Sequence, residues 1–267
     1  MKPLRIGILG LGRFGLALQY SLSQLGHEVW GRGPDEKLPL NEWAAHLTVL
    51  CLAVRDDQIA PLMPQLALSD LTQKTVLIHS GITPLSLLEP LKAKGAIIGK
   101  LHPLQTFAVP RKIPIPKGTP FAFEGDIISL VRPWVEAWQG ELHELQEDQW
   151  VLYHLAAVTA ANFLPLFIRA GARLLEPLSA SSADSLAWLA PLIRASTESA
   201  LDAENPLPFS GPAIRRDKST LEKHEQCLAK LAPDLLPLYQ HASEQIARLS
   251  KTDGAPSRPR KGAGSSK

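Results

Sequence analysis

The sequence predicts an α/β protein: a doubly wound, mainly parallel sheet over residues 1–148, followed by an all-helical domain over 149–250. Three observations predict it. Short apolar runs alternate with helix-spaced segments through the first half of the chain. A glycine triplet, Gly10-x-Gly12-x-x-Gly15, marks the first strand-to-helix turn. From about Gln149 the strand signal stops and only helical periodicity remains.

Each element follows from its local pattern. Residues 4–9 form an apolar run that reads as a buried strand, and 13–25 carry helix-spaced apolar residues ending before Gly26. A second strand is expected at 27–30 and a third at 47–54. Asp56 or Asp57 is placed to cap a helix running to residue 66. Strand 76–79, helix 84–94, strands 96–101 and 121–124, helix 126–138 and an extended segment at 141–145 complete the first domain. Helices are then expected at 149–175, 183–203, 219–231 and 234–250, with Ser219-x-x-Glu222 as a capping box for the third. A polar, proline-rich loop, 204–218, separates the second and third. No internal repeat is visible.

The glycine triplet has a mechanical reading. Gly10 allows the tight turn, Gly12 lets the backbone approach a pyrophosphate, and Gly15 lets the helix press on the strand. Diphosphate would meet the free N–H groups at the helix start, contributed by Arg13, Phe14 and Gly15. The second strand leads into Trp30-Gly31-Arg32-Gly33, with no acid to hold two ribose hydroxyls. Arg32 instead offers a fork of donors suited to a 2′-phosphate, which points to NADP rather than NAD. Ligands on such sheets lie beyond the strand C-termini. Ala53, Val54, His79, Ser80 and Gly81 occupy such positions and join the cofactor candidates.

Composition excludes several classes. The net charge of +2 divides into +4 on residues 251–267 (five cations, one anion) and −2 on the rest, which gives no case for nucleic-acid binding. The final segment reads as a disordered basic tail. Cys51 and Cys227 show neither metal-ligand spacing nor a disulfide framework, and Cys51 sits in an apolar strand as a small hydrophobe. No metal site is expected, and the composition suits the cytoplasm. Arg13 interrupts the N-terminal apolar run, so the glycine pattern explains it better than a signal peptide does. Residues 151–168 could pass for a membrane span, but His154, Asn162 and Pro165 break the stretch and anchoring flanks are missing. A helix buried on most sides, at a subunit interface of a homodimer, is expected instead.

Three histidines carry the candidate chemistry. His79 and His102 each end a strand, and His154 lies on the first long helix. Asn162 follows eight residues later, about 12 Å along and about 80° round an α-helix. In the 210–218 loop, Arg215 and Arg216 stand before a capped helix, and an arginine there can hold a carboxylate through two parallel hydrogen bonds. The cleft between the two domains is the default site.

Together these motifs resemble the "Rossmann-like and domain of unknown function 2520" family. The residues that carry the resemblance are the glycine triplet, His79-Ser80-Gly81, HPLQTF at 102–107, Tyr153-His154 with Asn162-Phe163-Leu164, and Gly211-Pro212 with Arg215 and Asp217. It covers about residues 4–250. The wider set includes pyrroline-5-carboxylate reductases, ketopantoate reductases, 3-hydroxyacid dehydrogenases and deazaflavin-dependent NADP oxidoreductases. The resemblance implies a Rossmann-type domain, a helical C-terminal domain that often mediates dimers, and an NADP-linked redox role. Two departures stand out. Helix 149–175 contains no lysine, and Trp150 occupies the position four residues before His154 where the resemblance implies a lysine in many closer relatives. Arg216 stands where a glycine is usual.

The expectation is an NADP-dependent oxidoreductase acting on a small carbonyl or imine compound that bears a carboxylate. His154 is the first candidate acid and His102 the second; Asn162 positions the substrate, while Gln105 and Arg215 bind it. Two alternatives remain: an NADP-binding regulatory or scaffold protein without turnover, and hydride exchange with a deazaflavin.

Overall fold

The computed structural model describes residues 2–205 and 207–252, and the basic tail lies outside them from residue 253 onward. The first unit is one seven-stranded sheet. Its strands are β1 (Arg5–Leu9), β2 (Glu28–Arg32), β3 (Val49–Leu52), β4 (Thr75–Ile78), β5 (Ile97–Pro103), β6 (Phe121–Glu124) and β7 (Leu142–Glu144), in spatial order β2-β1-β3-β4-β5-β6-β7. All neighbours are parallel except β5 and β6. That reversal follows from the connection. Residues 104–120 form a loop with four prolines and no crossover helix, so the chain turns straight back along β5.

Each central strand feeds two cores. In β3, Val49 and Cys51 point to one face, while Leu50 and Leu52 point to the other. The first face packs on α1 (Arg13–Gln24), through Ala17, Leu18 and Leu22, and on α5 (Ile128–Ala137), through Val131, Trp134 and Val135. The second packs on α2 (Leu40–Ala45), α3 (Asp56–Leu66) and the short α4 (Glu89–Lys92). Strands buried on both faces read as continuous apolar runs, which is why they stand out in the sequence. The six-residue α2 is too short to show a period, and the sequence reading missed it.

Two helix caps differ from expectation. Arg55, not an aspartate, precedes α3; Asp56 and Asp57 lie inside its first turn, where Asp57 pairs with Arg55. The helix begins one residue earlier than an Asp56 cap would require and two earlier than an Asp57 cap would.

The chain divides into two compact units at Asn162/Phe163, whereas the sequence places the break at 148/149. The intervening helix, α6 (Trp150–Ala157), stays with the first unit because Trp150 is buried there. A π-helical turn, Val158–Asn162, follows α6, so helix 149–175 is not continuous. Pro165 cannot donate to the carbonyl four residues back, and the ladder loosens just ahead of it.

The second unit holds α7 (Leu164–Leu175), α8 (Ser182–Leu201), the single-turn α9 (Pro212–Arg215), α10 (Lys218–Leu231) and α11 (Leu236–Thr252). Asp217 caps α10, accepting from the Thr220 amide at 3.1 Å and from its hydroxyl at 2.7 Å. It does so in place of the expected Ser219 box, because the helix begins before Ser219. Arg216 adopts the left-handed conformation, φ 55° and ψ 38°, so the backbone takes the shape a glycine would give, at a cost of about 1–2 kcal/mol.

The stretch from Glu147 to Leu178 is long and apolar enough to cross a membrane by length and composition alone. The expected burial of this stretch is not found within one chain: Val151 is 60% exposed, Leu152 70% and Leu155 56%. Among the described residues, nothing covers these side chains.

Candidate functional site

The chain runs from β1 to β2 on one side and returns to β3 on the other, so the sheet has its switch point between β1 and β3. The glycine triplet sits there. Gly10 has φ +100°, and a Cβ on it would lie 2.7 Å from the backbone of Ala53 and Val54. A Cβ on Gly15 would lie 1.9 Å from the Gly10 carbonyl oxygen, so only glycine lets α1 close on the turn. At Gly12 a Cβ would meet nothing within 4 Å, and no side chain caps the start of α1. The turn is thus tight beneath and open above. Arg13 is exposed and Phe14 half-buried on its first helical turn.

Arg32 ends β2, and its carbonyl accepts from the Gly10 amide at 3.0 Å. Its guanidinium lies 5.7 Å from the centre of the Trp43 ring, while Nη1 is buried without a partner among the described residues. Open space at Gly12, an uncapped helix start and an orphaned guanidinium nitrogen suit a ligand with a diphosphate and a further phosphate.

The histidines gather at the ends of β4 and β5. His79 Nδ1 lies 2.7 Å from the Leu101 carbonyl oxygen. A carbonyl only accepts, so Nδ1 carries the proton and Nε2 a lone pair, which is buried without a partner among the described residues. Burial pushes the His79 imidazole down to about 4, the Leu101 contact offsetting part of the shift. The ring centre of Phe14 stands 5.2 Å from that of His79 and 5.1 Å from that of Phe107. Through Phe14 the glycine turn and the histidines share one wall.

Ser80 is committed to a turn: its Oγ accepts from the amides of Ile82 at 3.1 Å and Thr83 at 2.8 Å. At Gly81 a Cβ would lie 2.5 Å from His154 Cδ2 and 3.3 Å from His102 Nε2. The missing side chain is what lets the two imidazoles approach, with ring centres 6.4 Å apart. The Tyr153 hydroxyl lies 3.1 Å from His102 Nδ1 and donates to the His102 carbonyl oxygen at 3.4 Å. In that arrangement Nδ1–H donates to the hydroxyl oxygen and Nε2 keeps a lone pair. Burial, followed by the charges of His154, His79 and Lys100, pushes His102 down to about 3, so the ring is neutral near pH 7. Burial also raises the Tyr153 phenol above its usual range.

Sequence reasoning missed Lys100. Its side chain is fully buried on β5, two residues before His102 and on the same face. Nζ donates to the Thr83 carbonyl oxygen at 2.8 Å and stands 3.8 Å from the centre of the Trp150 ring. Burial lowers its pKa to about 8 against the opposing pull of Glu124, Asp56 and Glu147. Glu124 faces Lys100 across the β5–β6 register, and burial raises its carboxyl. Trp150 Nε1 and Glu124 Oε2 are both buried and fall short of hydrogen-bond geometry with each other. A lysine in a strand that is apolar on both faces was the available signal.

The remaining predicted residues are less constrained. Gln105 is exposed, and its Oε1 accepts from the Thr106 amide at 2.8 Å. Asn162 is exposed at the end of the π turn, which has more residues per turn than an α-helix. It therefore falls less far round from His154 than an unbroken helix would carry it. Arg215 is exposed on α9 in the second unit. Cys51 is fully buried with its thiol pushed up, as an inert residue should be. Among the described residues, no group of three or more metal-ligating side chains occurs.

Residues 1–103 match the Rossmann-like domain model, and residues 119–246 match the model of domain of unknown function 2520. No curated protein matches at the sequence level. Among solved structures, a Bacteroides fragilis protein put forward as an NADP oxidoreductase is 20% identical with TM-score 0.77, covering 92% of this chain and 98% of that one. The Plasmodium falciparum pyrroline carboxylate reductase with NADP bound is 16% identical with TM-score 0.59, covering 94% and 99%. The Aspergillus terreus reductive aminase in complex with NADPH and ethyl-5-oxohexanoate is 20% identical with TM-score 0.64, covering 94% and 100%. At these identities the likeness establishes a shared fold. The chain thus matches a Rossmann-like domain model over its first part and the model of domain of unknown function 2520 over its second.

Proposed function

We propose that the protein is an NADP-dependent oxidoreductase acting on a small carbonyl or imine compound that carries a carboxylate. One observation carries the reading: Phe14, from the glycine turn, packs against His79, so the cradle and the imidazoles form one site. Solved proteins of the same fold hold NADP or NADPH. When bound, the nicotinamide supplies the hydride chemistry.

The chain's own residues have separable tasks. Backbone amides of residues 12–15 hold the diphosphate, with Ala53 and Val54 shaping the floor of the turn. The orphaned Nη1 of Arg32 takes the 2′-phosphate. The His79 lone pair accepts a hydrogen bond from the ligand, which would otherwise cost a buried unsatisfied acceptor. His154, half-buried at the edge of the site, gives the proton to the substrate's oxygen or nitrogen. His102 stays neutral and orients its neighbour. Asn162 positions the substrate, and Gln105 and Arg215 are the candidates for its carboxylate.

The exposed apolar side chains of α6 to α8, Trp188 at 60% and Leu192 at 66% among them, support a homodimer through the helical region. The chain is read as a soluble cytoplasmic protein, and light scattering should return twice the mass of one chain.

The test is an NADPH assay over 2-oxo acids and cyclic imines, beside calorimetry with NADPH. His154→Ala should lower turnover about 10²–10⁴-fold. Tight NADPH binding with no consumption across the panel would instead establish the non-catalytic alternative.

A further inference from the structure

We propose that Lys100 is a positioning residue: with His102 it clamps the first turn of α6 to β5, and through that turn it sets where the His154 imidazole stands. The inference rests on the reading of His154 as proton donor.

Lys100 is a poor stabiliser where it lies. Its side chain is fully buried, and among the described residues its ammonium has one hydrogen-bond acceptor, the Thr83 carbonyl oxygen at 2.8 Å. Among the described residues it joins no ion pair. An apolar side chain of similar volume would fill the space without the desolvation penalty. Such a residue is more easily explained by what it places than by what it stabilises.

The geometry shows what is placed. Residues 100 and 102 share a face of β5, and residues 150 and 153 are neighbours on α6. The Lys100 ammonium lies 3.8 Å from the centre of the Trp150 ring, a distance at which the ring face attracts a cation. Trp150 meets Tyr153 edge to face at 5.5 Å. The Tyr153 hydroxyl lies 3.1 Å from His102 Nδ1. Two side chains of one strand thus grip two rings of one helical turn, and the contacts close a loop. His154 is the next residue of that turn, and it hangs over Gly81.

Every charged group facing Lys100 belongs to an element packed around it. They are Glu124 on β6, Asp56 at the start of α3, Glu147 in the turn before α6 and, when protonated, His102 on its own strand. Removing the ammonium takes one positive charge from among these groups and leaves the Trp150 ring without its anchor.

The experiment uses the full chain. Lys100→Met should fold with an unfolding midpoint no lower than wild type and bind NADPH unchanged. The His154 ring signal, assigned through His154→Ala, should shift in the NMR spectrum, and kcat/KM should fall about 10–100-fold. Trp150→Leu should reproduce these changes, Trp150→Phe should keep most of the activity, and Lys100→Met with Trp150→Leu should be no worse than either alone. An unmoved His154 signal in Lys100→Met overturns the proposal, as do losses that multiply in the double variant. Should Lys100→Met fail to fold, Trp150→Leu decides: the His154 signal moves, or the clamp is wrong. A wild type that consumes no NADPH removes the oxidoreductase reading and leaves the resonance test standing.

Discussion

Gly81→Ala is the smallest change that tests the histidine arrangement. An added Cβ would stand 2.5 Å from His154 Cδ2 and 3.3 Å from His102 Nε2. Non-bonded carbons settle at about 3.5–4.0 Å, so something must yield by roughly 1 Å. His102 is held through its ring by Tyr153, whereas among the described residues the His154 ring has no hydrogen bond and is half-buried. His154 is therefore the side chain that moves. Gly81 is not among the glycines with positive φ, so alanine brings no backbone strain. Overpacking costs about 1–3 kcal/mol, and a ring free to swing keeps the loss near ~1 kcal/mol. A reacting group displaced by ~1 Å loses about 10²-fold in rate. The assay is kcat/KM on the best substrate of the panel, with NADPH affinity and thermal unfolding measured alongside. The expected pattern is a hundredfold drop with near-normal affinity and melting. Activity within twofold of wild type would refute the reasoning, since the proton donor would then tolerate a displacement the packing forces on it.

Two further outcomes are expected. Arg32→Ala should weaken NADPH binding roughly 10–100-fold, the worth of one charge-assisted contact, and leave NADH binding unchanged; equal loss for both would remove Arg32 from phosphate recognition. Stability should fall in acid: His79 and His102 are held at about 4 and about 3, below the unfolded value near 6.5, so the unfolded chain binds more protons and stability is lost as pH falls below ~6.5. At pH 5 the loss is about 2 kcal/mol per histidine, read as a lower urea midpoint than at pH 7.5 that is partly restored in His102→Gln.

The parts of the molecule legible in the sequence are those where a pattern repeats along the chain. β1, β3 and β4 read as strands because both faces are buried, and the glycine triplet reads as a turn because each glycine answers a different contact. His79 and His102 read as site residues because strand ends face the ligand side of such sheets. The antiparallel direction of β6 was not legible, although the strand itself was, since that direction depends on a loop rather than on its own four residues. The α10 cap was misread because Ser219 and Asp217 both satisfy a local rule, and only the backbone path decides between them.

Lys100 escaped for a different reason. Strand alternation says only that its side chain shares a face with His102, and a strand lysine is ordinarily placed at an edge or in solvent. What gives it a role is Trp150, fifty residues later, and no periodicity links the two. The same contact accounts for where the chain divides. With Trp150 and Tyr153 held against β5, the first two turns of α6 are fixed to the sheet, and regular winding ends only at the Val158–Asn162 π turn. A helix that began free at residue 149 would instead belong with the helices that follow it. The buried lysine and the helix that stays with the sheet thus belong to one arrangement, in which the charge comes from the strand and the aromatic rings from the helix.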